Sequence, residues 1–537
     1  MNWKAAGKTS ALLCLLFLVV YGGSNWLTGR RHNIGSFYFA WERHIPFVPV
    51  MILPYMSIDL FFIAAPFLCR SDRERRTLAN RITAAILISA ACWLLFPLRF
   101  AFERPPVDGW LGVIFNNFRM LDQPFNQLPS LHITLWAILL DLYTRYTRGI
   151  TRDRAQNSEH SVWTPESRGM GVSPMLSVLR HIFHTRKDDH ALVRLALRLW
   201  FTLIAISTVL TYQHHVIDVA GGFALAAWCF YLFQDQPLRL PVICNRRVGL
   251  YYATAAILMT ALAFAALPWS TPLLWPATSL ALAATACFGL GPGIFRKRNG
   301  RLPLSTWCVL WPLLLGQRLS WLYYARHCRP WDALTPRLWI GRQLTDTEAQ
   351  HAIAQGITAV LDLTGEFSEA RPFLNTGAAI HPSTTFDSTH SVARASSPWC
   401  RYTDTSLPSG TMVTPVAIAY HPLPILDLTA PTPAQLDEAI DFIRRESARG
   451  IVYVHCKVGY SRTAAVAGAY LLADKIAATA EDAVNLLRVA RPTIVVRPEA
   501  RQALDGYHAR RDANSSCTVP GTVARMRDHW HNAEPWA

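Results

Sequence analysis

The stretch His455-Cys456-Lys457-Val458-Gly459-Tyr460-Ser461-Arg462-Thr463 decides the reading of the C-terminal third of this chain. A cysteine and an arginine bracket five residues. The apolar run Ile451 to Val454 before it reads as a strand, and Thr463 to Leu472 after it reads as a helix. A strand that turns at once into a helix leaves backbone N–H groups facing one small cavity, and the helix N-terminus adds positive potential. Such a loop suits a phosphate dianion. Gly459 lets the backbone turn without a side-chain clash. The same field lowers the pKa of a thiol, near ~8.5 when free, and the thiolate is the attacking form. Cys456 is therefore the candidate nucleophile. Arg462 is the planar fork that grips two phosphoryl oxygens. Lys457, Gly459 and Ser461 complete the phosphate-binding loop, and the Thr463 hydroxyl is suited to stabilise the thiolate as it leaves. A leaving oxygen also needs a proton donor. Asp427, in Ile425-Leu426-Asp427-Leu428 before Pro431 and Pro433, is the candidate. Asp362 is the alternative, although it sits inside a predicted strand.

Around this run, residues 330–512 have the composition of an α/β domain. Arg337 to Gly341 and Ile357 to Thr364 read as strands, with a helix at Asp346 to Gln355 between them. The stretch 380–420 is rich in Ser, Thr and Pro and reads as a long loop. Residues 433–447 read as a helix capped by Thr432, and 513–537 as a disordered tail.

These features resemble the dual-specificity phosphatases, a shallow-pocket branch of the protein tyrosine phosphatase superfamily. The resemblance rests on HCxxGxSRT, on the upstream Asp427, on Gly-Ile-Thr-Ala-Val-Leu-Asp-Leu-Thr at 356–364, and on Arg491-Pro492 after a helix. It implies Cys456 as nucleophile, Arg462 as phosphate clamp and Asp427 as acid, with no metal and no cofactor.

The rest of the chain is of another kind. Of its 537 residues 51% are hydrophobic and 16% charged, where a soluble protein carries about 25% charged residues. Mean hydropathy is +0.17. The 19 tryptophans and 34 prolines suit a polytopic membrane protein. Spanning the hydrocarbon core takes about 20 apolar residues. Candidate spans lie near 10–27, 47–69, 82–98, 131–146, 195–213, 216–234, 249–268 and 271–291, a membrane domain of about eight spans over residues 1–302. The fourth is the weakest because it is short and carries Asp141. Arginine-rich connections at 70–81, 147–194, after the sixth span and after the eighth share one side if the N-terminus is cytoplasmic. Residues 303–329, rich in Trp and Tyr, read as an interfacial helix and linker. The expected architecture is thus an all-α polytopic membrane bundle followed by an α/β phosphatase domain. The expected location is a bacterial inner (plasma) membrane, with the C-terminal domain cytoplasmic. The eleven cysteines are scattered without paired spacing, which argues against a disulfide framework. The net charge of +16 lies in the membrane connections, which argues against a nucleic-acid partner.

Three further runs fall on one predicted membrane face. They are Arg99-x4-Arg104-Pro105, Pro129-Ser130-Leu131-His132 and His214-His215-Val216-Ile217-Asp218. His214 and Asp218 are four apart, so a helix would put them on one face, where a carboxylate can orient an imidazole. The runs resemble the type-2 phosphatidic acid phosphatases, in the branch of the inositol phosphorylceramide synthases, over roughly 80–235. That resemblance implies His214 as nucleophile, His132 as acid, Asp218 as orienting group, and Arg99, Arg104 and Ser130 as phosphate ligands. The chain departs from the pattern at Pro97, Thr208 and Leu131, where the family has lysine, arginine and glycine. The expected function is a membrane phosphatase. It would join a cytoplasmic cysteine-dependent phosphomonoesterase to an outward-facing histidine-dependent lipid phosphatase site. The expected partners are membrane phospholipids or lipid phosphates, and phosphoproteins. The alternatives are a membrane-anchored protein tyrosine/serine/threonine phosphatase with a degenerate membrane part, or a phospholipid headgroup phosphotransferase.

Overall fold

The computed structural model describes residues 2–32, 34–121, 123–159, 189–234, 236–266, 270–374 and 417–517. The chain divides into two compact units, Met1–Asp235 and Gln236–Ala537. The composition break near 302 falls inside the second of these units.

The first unit is helical: α1 (Trp3–Gly29), α2 (Ile52–Ala64), α3 (Asp72–Leu95), α4 (Gly109–Leu121), α5 (Leu131–Glu159), α6 (Asp189–Leu210) and α7 (Val216–Leu232). Its core is apolar, with Ile82, Ile86, Trp93, Leu139 and Phe201 fully enclosed. Its outer surface is apolar as well, since Leu60 is 72% exposed and Leu95 71%. A helix that is hydrophobic all round suits a lipid surrounding. Among the described residues six segments are long and apolar enough to cross a membrane: Trp3–Gly29, Pro49–Leu68, Asp72–Leu95, Ala191–Leu210, Arg246–Ala265 and Thr271–Phe295.

Two of the eight expected spans are not among these six. The fourth lies in α5, whose Asp141 meets Arg145 one turn on at 3.0 Å and Arg81 of α3 at 3.6 Å. Those charges lower its apolarity. The sixth, Val216–Leu232, is apolar but has only 17 residues. A further difference lies at 70–81, which is not a connection but mostly the first turns of α3. Ser71 caps that helix by accepting from the Glu74 N–H, and Asp72 and Glu74 face the dipole's positive end.

The second unit begins with the apolar helices α8 (Arg246–Ala265) and α9 (Leu274–Thr285), the latter continued by short turns to Phe295. Next comes α10 (Leu304–Ala325), one unbroken helix of 22 residues despite Pro312. A five-stranded sheet follows, in the order β1-β2-β5-β3-β4. The strands are β1 (Trp331–Thr335), β2 (Leu338–Arg342), β3 (Ile357–Asp362), β4 (Ala419–Pro422) and β5 (Ile451–Cys456). Only the β1–β2 pair is antiparallel. The expected strands at 337–341 and 357–364 and the one ending at Val454 are β2, β3 and β5, while β1 and β4 were not foreseen. Packed on the sheet are α11 (Asp346–Ala354), α12 (Arg371–Leu374), α13 (Pro433–Ser447), α14 (Ser461–Ala473) and α15 (Ala480–Ala490), with α16 (Pro498–Cys517) laid against α14 and α15. Thr432 caps α13 as expected.

Central strands of a parallel sheet are covered on both sides and so read as unbroken apolar runs. Val452 and Val454 of β5, with Leu361 of β3, pack against α13 and α14 on one face. Tyr453 and Val360 pack under α11 and α12 on the other. This places Cys456 at the buried C-terminal end of the central strand. Most of the expected loop at 380–420, most of the connection at 147–194 and the tail beyond 517 lie outside the described residues. Residues 513–517, expected in the tail, continue α16.

Candidate active site

β5 ends at Cys456 and α14 begins at Ser461, so four residues make the turn between them. Gly459 takes φ +74°, and a Cβ there would lie 2.5 Å from the Gly341 carbonyl carbon and oxygen of β2. Both conformation and space therefore demand glycine. The buried Arg491, from the Arg-Pro run, braces the turn from behind. It donates to the Val458 carbonyl at 3.3 Å and pairs with Asp332 at 2.7 Å.

Cys456 is buried. Burial alone would push its thiol up. The Arg462 guanidinium, the Thr463 hydroxyl and the Thr463 and Tyr460 N–H groups outweigh that and hold it below its ordinary value. Thr463 Oγ1 has no other partner among the described residues. Arg462 is held as a two-pronged fork on Glu366, at 2.6 and 3.1 Å, and donates to the Ile425 carbonyl at 2.9 Å. Asp427 lies 3.3 Å from the same guanidinium and 2.6 Å from Lys457 Nζ. Partial burial works against its charge, but Arg462 and Lys457 hold the Asp427 carboxyl at about 2. Nucleophile, clamp and acid expected from the sequence thus converge, with Lys457 and Gly459 in the loop and Ser461 opening α14.

Asp362 is not part of this group. It accepts from Thr364 N at 2.8 Å and Tyr420 Oη at 2.8 Å, and it forms a buried pair with Lys297. Its neighbour His455 bonds Glu369 at 2.7 Å and lies 3.9 Å from Asp362. The imidazole is raised toward the cation against the effect of burial, chiefly by Glu369. Asp362, Glu369 and His455 have the spacing of a metal site, but Lys297 already supplies a cation there. The sequence reading missed Glu366, Glu369 and Lys297. Glu366 and Glu369 share one short loop and Lys297 stands between Arg296 and Arg298, and no spacing there points to the site.

In the first unit, two of the three membrane-side runs meet. The Ser130 N–H donates to the Asp218 carbonyl at 3.0 Å, and a Cβ on Gly222 would strike the Ser130 carbonyl at 2.6 Å. His214 Nδ1 lies 3.8 Å from Asp218 Oδ2 and makes no hydrogen bond among the described residues. That carboxylate instead caps α7 by accepting from the His215 N–H at 2.8 Å. His132 is stacked on Tyr55 with centroids 4.1 Å apart, and its Nε2 has no partner among the described residues. Arg104 donates to the Tyr212 carbonyl, and Arg99 is exposed. The most engaged imidazole is one the sequence reading passed over: His215 contacts Glu42 at 2.9 Å and accepts from the Ala101 N–H at 3.0 Å.

Residues 407–509 match the family described as "Dual specificity phosphatase, catalytic domain". The C-terminal region thus carries a phosphoric-ester hydrolase domain of the protein tyrosine phosphatase type. Among curated relatives, mouse "Dual specificity protein phosphatase 19" is 33% identical over 84 residues, 16% of this chain and 38% of that protein. Mouse "Phosphatidylglycerophosphatase and protein-tyrosine phosphatase 1" is 35% identical over 88 residues, 16% of this chain and 45% of that protein. The chain spans less than half the length of these relatives. A structure titled "Crystal Structure of PTPMT1" aligns with 20% identity and a TM-score of 0.25, covering 35% of this chain and 99% of that one.

Two outcomes follow from the geometry. Gly459→Ala lowers stability by about 1–3 kcal/mol through the left-handed φ and the backbone overlap, read as a fall in thermal midpoint. An unchanged midpoint contradicts the packing described. For the thiol, a lowered pKa leaves more thiolate at a given pH. The rate of Cys456 alkylation by iodoacetamide therefore reaches half its plateau below the pH of an ordinary cysteine. The Arg462→Met variant, which lacks the guanidinium charge, moves that midpoint upward.

Proposed function

We propose that this chain is an integral membrane phosphatase whose Cys456 site cleaves the phosphomonoester of a membrane lipid through a phosphocysteine. The carrying observation is the convergence of a lowered thiol, the Arg462 fork and Asp427 at the end of β5. The Cys456 thiolate attacks phosphorus, the phosphorus–oxygen bond breaks, and Asp427 in its acid form gives its proton to the departing oxygen. Water then attacks the phosphocysteine with Asp427 as base, releasing phosphate and a thiolate facing Thr463. In the free site Asp427 is ionised. A bound phosphate competes for Lys457 and Arg462, which raises the Asp427 pKa. A phosphate monoanion can deliver the proton it needs.

The lipid reading is supported by α10, whose Gln317 accepts from Lys457 of the phosphate loop at 2.8 Å. A helix of apolar composition thus stands at the mouth of the site. It is also supported by the mouse relative, whose name joins a phosphatidylglycerophosphatase to a protein tyrosine phosphatase. Location in a bacterial inner membrane, with the cysteine in the reducing cytoplasm, would keep the thiolate free of disulfide exchange. Residues 80–235 are read as a second, outward-facing phosphate site of the type-2 phosphatidic acid phosphatase kind. There His214 is the nucleophile, His132 the acid and Asp218 the orienting group, with Ser130, Arg99 and Arg104 as phosphate ligands. The unpartnered His214 Nδ1 and His132 Nε2 support it.

The test is phosphate release by the full chain in detergent micelles from phosphatidic acid, phosphoinositides and phosphopeptides. Cys456→Ser is expected to lose at least about a thousandfold on one lipid phosphate, and His214→Ala to remove a separate lipid activity. A wide preference of the Cys456 site for phosphopeptides overturns its lipid reading. Unchanged release in His214→Ala overturns the histidine site.

A further inference from the structure

Asp427, the candidate acid, is followed by Leu428 at φ +62°. A branched residue in the left-handed region persists only where its surroundings over-determine it. Two contacts do so. The Leu428 N–H turns back onto Asp427 Oδ1 at 3.1 Å. The Leu428 carbonyl accepts from Asn245 Nδ2 at 2.7 Å. Asn245 does not belong to the sheet region at all. It is the N-cap of the apolar helix α8, where its Oδ1 accepts from the Val248 N–H at 3.2 Å. Its side chain therefore has two ends with two tasks: the oxygen closes a helix and the amide holds the acid loop. The same Nδ2 also reaches Glu499 Oε1 of α16 at 3.3 Å, which anchors the asparagine from a second direction. From the other flank, Gln317 of α10 holds Lys457, and Lys457 in turn holds Asp427.

We infer that Asn245 is a positioning residue for the general acid, so that a helix from the apolar part of the chain completes the cysteine site. The inference rests on the reading of Cys456 and Asp427 given above. It makes the domain from residue 330 onward incomplete as a catalyst of alkyl phosphate cleavage. The chemistry gives a direct signature. An alkoxide cannot leave phosphorus without a proton, whereas nitrophenolate can. Misplacing the acid therefore slows alkyl phosphates and spares aryl phosphates with acidic leaving groups.

The test uses full-length Asn245→Ser and Asn245→Asp. Both keep an oxygen to cap α8 and both lack the amide donor. kcat/KM, which reports formation of the phosphocysteine, is measured on short-chain phosphatidic acid and on p-nitrophenyl phosphate. Cys456→Ser and Asp427→Asn run alongside. Both Asn245 variants are expected to lose about tenfold or more on phosphatidic acid, a part of what a general acid supplies. They stay within about twofold of wild type on p-nitrophenyl phosphate, and so share the selectivity of Asp427→Asn. An equal loss on both substrates, or no loss on either, overturns the role of Asn245. Full activity in Cys456→Ser instead overturns the underlying reading of the site, and the two failures are thereby told apart.

Discussion

The pair between Arg462 and Glu366 is the contact on which the catalytic end of the sheet depends. Both side chains are almost wholly enclosed, at 3% and 1% exposure. Taking two charges out of water costs several kcal/mol per ion, and the cost is offset only when the geometry satisfies every remaining donor. Here the fork meets both carboxylate oxygens, and the Ile425 carbonyl takes a further N–H. Glu366 thus fixes the plane of the guanidinium before any phosphate arrives. A preset donor strengthens as charge develops, without reorganising. The same cation lowers the Cys456 thiol and, with Lys457, the Asp427 carboxyl. The guanidinium that this pair orients therefore biases the charge state of both proposed reacting groups.

A second layer of charge lies beneath it. His455 and Lys297 oppose Asp362 and Glu369, all at or near zero exposure. Lys297 and the raised His455 imidazole thus offset the two carboxylates buried beside Cys456. Tyr420 and Thr364 satisfy remaining oxygens of Asp362. Fully buried and engaged by Lys297, Thr364 and Tyr420, Asp362 has no face open to a leaving group, which supports the proposal of Asp427 as the acid. Asp427, by contrast, is held by cations that a phosphate dianion can draw away.

Strands β2, β3 and β5 and the turn from Cys456 to Ser461 were legible because each is enforced locally. An apolar run of strand length, a glycine that alone fits its turn, and a capped helix leave few alternatives. Thr432 before Pro433 and Gly459 between Cys456 and Arg462 are of this kind. What was not legible depends on distant partners. Glu366 is 96 residues from Arg462, and His215 is 173 from Glu42. No periodicity links such residues. The eight expected spans exceed the six long apolar segments among the described residues for a related reason: in α5, Asp141 sits among apolar residues but belongs to a charge cluster with Arg81 and Arg145.

The apolar helices of the second unit carry the same lesson in a sharper form. A hydropathy window averages over about 20 residues, so a single asparagine or glutamine vanishes into it. Yet a polar side chain in apolar surroundings has nothing there to bond and must find a polar partner elsewhere in the protein. Asn245, Lys297 and Gln317 are such exceptions in and around these helices, and each meets the sheet region at a different place: the acid loop, the end of β3 and the phosphate loop. Their distribution follows the catalytic elements and not the helices they come from. Composition divides this chain near 302, whereas its polar contacts join residues on both sides of that line into one site.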